Sequence, residues 1–148
     1  IQSMYIFKQP RIGGEVDCHQ DSTFLYTEPE SAIGFWVALE NATKKNGCLQ
    51  VQKGGHKGPL RKLFKRQNNH LIMETLNNTP FDKMDTFLEV KKGALILLHG
   101  RLPHYSCENK SDKSRHAYTL HIIDGNCKYS KFNWLQRSNN FPLKGFVD

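Results

Sequence analysis

Apolar and polar side chains alternate with a period of two along several short stretches of the chain, the pattern of β-strands that have one buried face. The clearest stretch is 115–123, in which Ala117, Thr119 and His121 share one face. By contrast, 33–39 is almost continuously apolar, as expected for a strand covered on both faces. Together these patterns predict about eight short strands, at 4–7, 18–25, 33–39, 48–51, 86–90, 94–99, 105–107 and 115–123.

The segments between these strands carry turn signals and little helical periodicity. Asn46 and Gly47 form an Asn-Gly pair, which is a strong turn signal. Residues 54–86 are mostly polar, only 60–64 within them suggests a short helical turn, and the tail from residue 128 looks irregular. Many short strands with little helix favour a sandwich or barrel over alternating strands and helices. We therefore predict a mainly β fold, with the double-sheet jelly roll as the leading candidate.

Length and composition fit one globular domain. The chain has 148 residues, of which 38% are hydrophobic and 24% are charged. This is too apolar for a disordered chain, and the longest apolar stretch, near 94–98, falls far short of the roughly 20 residues of a membrane-spanning helix. We expect a single domain over 1–148. Because the chain begins at Ile1, directly in a predicted strand, we also expect it to be the C-terminal part of a longer protein.

The net charge of +7 is concentrated in one segment. Residues 44–66 hold eight basic side chains and no acidic one. We interpret this segment as a solvated basic loop. The alternative is a module that binds an anion or a nucleic acid, although no RNA-binding signature or helix-turn-helix pattern accompanies it. The four cysteines form no C-x-x-C pair and there is no signal peptide, which predicts free thiols and a cytoplasmic location.

A candidate metal site begins with His19 and Asp21, which lie two residues apart on a predicted strand and would point to the same face. Two imidazoles and one carboxylate form the facial triad of non-haem Fe(II) oxygenases. His104 is favoured as the second imidazole over its rival His99, because Arg115 follows His104 by eleven residues, at the start of the last long strand. The fork of an arginine there would clamp the far carboxylate of a dicarboxylate that chelates the metal.

Several longer stretches resemble the phytanoyl-CoA dioxygenase family. The resemblance is carried by V-D-C-H-Q-D-S-T-F-L-Y-T-E-P at 16–29, G-A-L-I-L-L-H-G at 93–100 and S-D-K-S-R-H-A-Y-T at 111–119. The N-terminal helices and strands of the family have no counterpart in this chain. Shorter matches extend the resemblance over nearly the whole chain, at 2–10, 46–49, 54–56 and 133–136.

The resemblance implies a cupin-like double-stranded β-helix that lacks the family's N-terminal helical part and binds Fe(II) and 2-oxoglutarate. In such a fold His19, Asp21 and His104 would hold the iron. Arg115 and Ser106 would meet the distal carboxylate of 2-oxoglutarate. The full set of residues implied for the cosubstrate is Met4, His19, Gln20, Asp21, Trp36, Ser106 and Arg115.

The implied activity is that of a 2-oxoglutarate-dependent dioxygenase. Such an enzyme decarboxylates 2-oxoglutarate to succinate and uses O2 to hydroxylate a small-molecule substrate. A fragment can be inactive even where its parent protein is an enzyme. The alternative hypothesis is a non-catalytic cupin-like module that binds a metal or another ligand without turnover. We expect a monomer, with neither a membrane nor a nucleic acid as its partner.

Overall fold

Two four-stranded antiparallel sheets form the body of the computed structural model, which describes residues 2–146. Residues of both sheets line a common internal cavity, so the sheets face each other. This is a jelly roll, or double-stranded β-helix, and it confirms the predicted mainly β fold. The first sheet consists, in spatial order, of β1 (Gln2–Lys8), β11 (Arg115–Ile122), β4 (Ile33–Ala38) and β9 (Leu95–His99). The second consists of β2 (Val16–His19), β10 (His104–Ser106), β5 (Leu49–Val51) and β8 (Thr86–Leu88).

Strand β11 shows why this sequence forms a sheet with a functional inner face. Its side chains alternate as predicted, with Arg115, Ala117, Thr119 and His121 buried and Tyr118 exposed on the opposite face. Strands β1 and β4 pair with its two edges in continuous registers. The inward row of β11 is therefore fixed from both sides.

The apolar core lies between the two sheets and occupies only part of the space there. Trp36 and Leu98 of the first sheet pack in one cluster with Leu49 and Val51 of the second. Small residues complete the cluster, namely Ala38, Ala42, Cys48 and Ala117. The space that this core leaves unfilled is the internal cavity described below.

The outer face of the first sheet is apolar as well. Tyr5 and Phe7 of β1, and Leu95 and Leu97 of β9, are each more than half exposed. An antiparallel sheet with one solvated face usually has polar residues at such positions. The first sheet therefore departs from the apolar-inside, polar-outside pattern that identified its strands.

Residues 62–75 form a hairpin where the sequence predicted a polar loop with a helical turn at 60–64. Strands β6 (Lys62–Gln67) and β7 (His70–Thr75) pair along their whole length. The turn residues Asn68 and Asn69 have φ angles of 48° and 63°, a left-handed conformation that asparagine tolerates. The prediction was wrong here because both faces of the hairpin carry polar residues, which hides the period of two.

The strand predicted over 18–25 is wrong at its C-terminal end. Strand β2 stops at His19, and Asp21–Thr23 form a 3-10 turn. The backbone N–H of Ser22 donates to the carbonyl of Gly100 at 2.9 Å, which ties this turn to the end of β9. Such a long-range bond has no signature in the local sequence. Asp21 therefore stands on a turn and not on a strand.

Helical structure in the described residues is limited to three short 3-10 turns, Asp21–Thr23, Lys44–Asn46 and Gly55–Lys57. The second turn accounts for the Asn-Gly signal, because it ends at Gly47, whose φ of 81° is left-handed. Within residues 2–146 no helix has both the length and the apolar character that crossing a membrane requires.

The C-terminal segment packs back onto the barrel. Strands β3 (Thr27–Glu28) and β12 (Lys128–Tyr129) pair with each other. Further on, Asn133 forms a bridge with Lys65 of β6, and the N–H of Arg66 donates to the carbonyl of Phe132 at 2.8 Å. The tail, predicted to be irregular, therefore adds a third chain segment to the β6–β7 hairpin.

The basic segment 44–66 is not a uniformly solvated loop, which corrects the interpretation made from sequence. Arg61 is buried, and its guanidinium donates to the carbonyls of Thr79 and Pro80 at 2.8 and 3.3 Å. Lys65 lies on β6 and pairs with a glutamate of β7 at 2.5 Å. Part of the positive charge therefore serves to hold loops and a hairpin together.

Gly47 occupies a position that no other residue fits. Its φ is 81°, and a Cβ there would overlap the carbonyl oxygen of Cys107. We expect Gly47→Ala to lower the free energy of unfolding, measured by urea denaturation, by at least about 2 kcal/mol. Gly125→Ala is the matched control, because a Cβ at Gly125 has no heavy atom within 4 Å. If both substitutions lowered the free energy of unfolding equally, the left-handed conformation at Gly47 would not be required for stability.

Candidate metal centre and its cavity

Strands β2 and β10 place two histidines beside one carboxylate. His19 ends β2, His104 begins β10, and the two are opposite each other in the antiparallel pair. Asp21 stands on the turn directly after β2, with its Oδ1 3.7 Å from Nε2 of His19 and 3.6 Å from Nε2 of His104. One ligand atom from each residue lies within 4.8 Å of the other two. The three side chains therefore converge on a single point.

Backbone hydrogen bonds orient both imidazoles. Nδ1 of His19 bonds the carbonyl oxygen of Asp17 at 2.7 Å, and Nδ1 of His104 bonds that of Leu102 at 2.9 Å. A carbonyl oxygen only accepts, so each Nδ1 carries a proton and donates it. In the neutral ring, Nε2 then holds the free lone pair on the side of Asp21, which is the tautomer that a metal bound at Nε2 requires.

The electrostatics of this cluster favour an ionised Asp21 and a neutral His19. Burial alone would raise the pKa of Asp21, but its three histidine neighbours, His104 first among them, hold that pKa below its usual value. Burial also lowers the pKa of His19, and the charge of His104 lowers it further. Both shifts favour the protonation states that ligate a transition metal.

A third histidine, His121 of β11, contacts the other oxygen of Asp21. Its Nε2 lies 3.4 Å from Asp21 Oδ2. Gly34 is opposite His121 in the β11–β4 pair, and a Cβ at Gly34 would lie 2.8 Å from Asp21 Oδ2. The missing side chain of Gly34 therefore makes room for the contact between Asp21 and His121. With Oδ2 engaged by His121, Oδ1 faces the other two histidines.

His121 is not among the site residues that the sequence predicts. It is buried, but its partner is a candidate metal ligand. The alternation of β11 contained the signal, since His121 lies on the same inward face as Arg115. A histidine that shares the inward face of a strand with a candidate clamp is itself a site candidate.

A cavity with an empty volume of about 530 Å³ lies between the sheets, and the triad forms part of its wall. Trp36 and Leu98 of the first sheet and Leu49 of the second give it apolar walls. Arg115 and Ser106 line the same cavity. The triad and the predicted clamp therefore line one and the same cavity.

Arg115 is a buried cation with unused hydrogen-bond donors. Its side chain is 1% exposed, and within residues 2–146 its Nε and Nη1 have no hydrogen-bond partner. The guanidinium carbon lies 5.4 Å from the ring centroid of Trp36, whose Nε1 likewise has no partner in the described part of the chain. Burial lowers the pKa of Arg115 to about 10, so the group stays protonated at neutral pH. A bound carboxylate would supply the missing negative charge and the missing acceptors.

The residues predicted to contact a cosubstrate divide into two groups. Gln20 is not in the cavity wall, because its Nε2 donates to the carbonyl of Arg101 at 2.8 Å and its Oε1 accepts the N–H of Arg61 at 3.0 Å. Its side chain connects two loop segments, and the structure does not bring that side chain to the clamp. The predicted cosubstrate residues that line the cavity together with the triad are Met4, Trp36, Ser106 and Arg115.

His99, the rival for the second imidazole, lies elsewhere. Its ring packs against that of His56, with the centroids 5.4 Å apart. Its Nδ1 accepts the backbone N–H of Arg101 at 3.0 Å. Within residues 2–146 the cluster of converging ligand atoms includes His104 and not His99.

The sequence matches a known family over most of its length. Residues 1–117 match the family model described as phytanoyl-CoA dioxygenase (PhyH). A phytanoyl-CoA dioxygenase of Arabidopsis thaliana is 49% identical over 93% of this chain and 49% of its own length. Phytanoyl-CoA dioxygenase domain-containing protein 1 of Danio rerio is 45% identical over 97% of this chain and 51% of its own length. The chain thus spans about half the length of the curated relatives it matches.

Solved structures share the architecture at low sequence identity. SnoK, a non-haem α-ketoglutarate-dependent carbocyclase from nogalamycin biosynthesis, aligns with a TM-score of 0.71 at 20% identity, covering 97% of this chain and 58% of SnoK. EvdO2 from Micromonospora carbonacea var. aurantiaca, solved with 2-oxoglutarate, aligns with a TM-score of 0.61 at 23% identity, covering 85% of this chain and 54% of EvdO2. At these identities the likeness shows the jelly-roll fold alone.

We expect Gly34→Ala to weaken metal binding, because the new Cβ would lie 2.8 Å from Asp21 Oδ2 and displace the carboxylate. The dissociation constant for Mn²⁺, measured by isothermal titration calorimetry, should rise about 10- to 100-fold. Gly14→Ala is the control, because a Cβ at Gly14 has no heavy atom within 4 Å. Unchanged Mn²⁺ affinity in a correctly folded Gly34→Ala variant would contradict the role given to this glycine.

Proposed function

The chain belongs to the phytanoyl-CoA dioxygenase family, and on that premise we propose that it is the catalytic barrel of an Fe(II)- and 2-oxoglutarate-dependent dioxygenase. The reaction would couple the decarboxylation of 2-oxoglutarate to succinate with the hydroxylation of a second, small-molecule substrate. One observation carries this proposal: the His-Asp-His triad and the buried Arg115 line the same cavity.

The donor set fits iron. His19 and His104 each donate through Nδ1 to a backbone carbonyl and so present Nε2 to the metal position, and Asp21 offers a carboxylate whose pKa is held below its usual value. Two imidazoles and one carboxylate on one side of a metal leave the remaining positions open. When bound there, iron supplies the coordination positions at which a chelating cosubstrate and dioxygen meet.

The cavity fits 2-oxoglutarate, a dicarboxylate. One end of this molecule would reach the metal, and the other would accept hydrogen bonds from the unused guanidinium nitrogens of Arg115. Ser106, in the wall beside it, offers a hydroxyl group, and Trp36 and Met4 would flank the carbon chain. Charge-assisted hydrogen bonds to a fork of this kind fix both the position and the orientation of a carboxylate.

The other residues of the wall would exclude water. Leu49, Leu98 and Trp36 are nearly or fully buried and line the space between triad and clamp. A low-dielectric wall strengthens the attraction between Arg115 and a carboxylate. His121, through its contact with Asp21 Oδ2, would keep the carboxylate oriented while ligands exchange at the metal.

The non-catalytic cupin-like module is the weaker hypothesis in the form that binds only a metal, and a form that binds a metal and an anion without turnover is distinguished by the succinate assay. A protein that only stores or senses a metal has no use for a buried guanidinium with unused donors next to the metal site. Leaving such a charge unpaired is unfavourable, so its presence argues for an anionic ligand. Because the chain spans about half the length of its curated relatives, activity of this chain by itself is part of the proposal.

With Fe(II) supplied, the chain is expected to convert 2-oxoglutarate to succinate, which can be followed by NMR. Loss of one metal ligand in His19→Ala should lower the rate at least about 100-fold. His70→Ala removes an exposed histidine from β7 and should leave the rate unchanged. Equal rates in the wild type and His19→Ala, or no succinate from either, would contradict the proposal.

Arg115→Lys keeps the positive charge but removes the planar fork. We expect the KM for 2-oxoglutarate to rise about 10- to 100-fold, since hydrogen bonds to a charged group are worth roughly 1.5–3 kcal/mol. Mn²⁺ affinity in the absence of 2-oxoglutarate should stay the same. Arg11→Lys, at an exposed arginine that pairs with Asp112, is the control. A KM unaffected by Arg115→Lys would remove this residue from the cosubstrate site.

A further inference from the structure

A second cavity adjoins the triad, with an empty volume of about 970 Å³. His19, Asp21 and His121 line it as well as the first cavity, but Arg115 lines only the first. Arg115 begins β11 and His121 lies near its other end. The second cavity therefore lies toward the His121 end of β11, away from Arg115, and His19 and Asp21, two of the three candidate metal ligands, line both cavities.

Three aromatic side chains, Phe24, Phe64 and Trp134, form what we call the aromatic wall of this second cavity. The ring of Phe24 is 5.9 Å from that of the metal-site residue His19. Phe64 follows at 5.8 Å from Phe24, and Trp134 at 6.1 Å from Phe64. The wall thus runs continuously outward from a candidate metal ligand.

The aromatic wall is held in place by backbone bonds between distant segments. The N–H of Phe24 donates at 3.0 Å to the carbonyl of Asp21, so the innermost ring is attached to the turn that carries the metal-site carboxylate. The N–H of Trp134 donates to the carbonyl of Phe64 at 3.3 Å. The wall is therefore part of the fold and not a chance contact of mobile side chains.

Solvent reaches apolar side chains that point into this cavity. Met4 lies on the inward face of β1, opposite the inward Thr119, yet it is 40% exposed. Val16, on β2, is 38% exposed. When a ligand covers inward-facing apolar groups that solvent reaches, its binding is favoured by roughly 25 cal/mol per Å² of apolar surface removed from water.

The charges of the two cavities differ. The first contains the buried guanidinium of Arg115. Among the described residues that line the second cavity there is no lysine or arginine, and apart from the shared metal-site residues its charged member is Asp17. Apart from a metal held at the shared triad, a carboxylate or phosphate would find no counter-charge there, and Asp17 would repel it. An uncharged group would meet aromatic and aliphatic surface.

We propose that the second cavity binds the second substrate of the reaction and that it selects an uncharged, predominantly apolar group for the position beside the triad. This inference rests on the proposed function, because it takes the triad as the reacting centre. The barrel would then sort its two organic substrates by charge, with the dicarboxylate drawn to Arg115 and the apolar group to the aromatic wall.

Three eight-carbon probes that differ only in head group test this selection: octanamide, octanoate and octylamine. Binding is measured by isothermal titration calorimetry at neutral pH. Mn²⁺ and saturating 2-oxoglutarate are present, so that 2-oxoglutarate occupies Arg115 and octanoate cannot bind there. We expect octanamide to bind at least about tenfold more tightly than either charged probe, because burying an unpaired charge is unfavourable. Tighter or equal binding of octanoate or octylamine, or binding of none of the three, would overturn the proposal.

Two variants and one control variant locate the probe binding in the second cavity. Phe64→Ala removes the middle of the aromatic wall and should weaken octanamide binding about tenfold. Phe87→Ala, on β8 and outside both cavities, is the matched control. Gln2→Lys, at a position that lines only the second cavity, adds a cation to its wall and should raise the affinity for octanoate at least about tenfold. An effect of Phe87→Ala equal to that of Phe64→Ala would place the binding elsewhere.

The binding assay requires no turnover, whereas the succinate assay requires no probe. Succinate formation without selective octanamide binding would leave the proposed function intact and refute the substrate class. Selective octanamide binding without succinate formation would refute the dioxygenase proposal and leave an apolar binding site beside a metal centre.

Discussion

The register between β2 and β10 is the constraint on which the rest of the site depends. It sets His104 opposite His19, so that both imidazoles approach the turn that carries Asp21. A slip of one residue would turn an imidazole to the other face of the sheet. Two contacts from outside the pair oppose such a slip. On its second edge β10 pairs with β5, where Val51 is opposite His104, and the Asp21 turn is tied to the end of β9 through Gly100.

Buried charged groups are distributed unevenly inside the barrel. Asp21 is surrounded by three histidines, and Lys8, only 2% exposed, donates to the carbonyls of Ser106 and Cys107 at 3.3 and 2.6 Å. Burial, together with the charge of Arg115, lowers the pKa of Lys8 to about 8. The ammonium group of Lys8 thus has hydrogen-bond acceptors, whereas Nε and Nη1 of Arg115 have none within residues 2–146. In the proposed function this end of the barrel would bind an anion, and the end lined by the aromatic wall would bind apolar surface.

Local patterns in the sequence were sufficient where the structure is regular. The alternation of β11 placed Arg115 inward, and the spacing to Arg115 favoured His104, which the structure brings to His19 and Asp21, over His99. The failures lie where distant segments decide local structure. The strand predicted over 18–25 ends early because its turn bonds to Gly100. The hairpin at 62–75 is not predicted because polar and apolar residues are mixed on both of its faces and its support comes from 132–134. The role of His121 depends on pairing across β4, which no single strand reveals.

The pairing of β1 with β11 joins parts of the chain that are far apart, from Gln2 opposite His121 to Lys8 opposite Arg115. Closing so long a loop is entropically costly and slow, so the first sheet is completed only after most of the chain has been synthesised. The same pairing fixes His121, which contacts the candidate metal centre, and Arg115, the proposed anion-binding residue. A nascent chain would therefore acquire both proposed ligand sites at the step that closes the barrel, and ligands that bind there would stabilise the closed form by mass action.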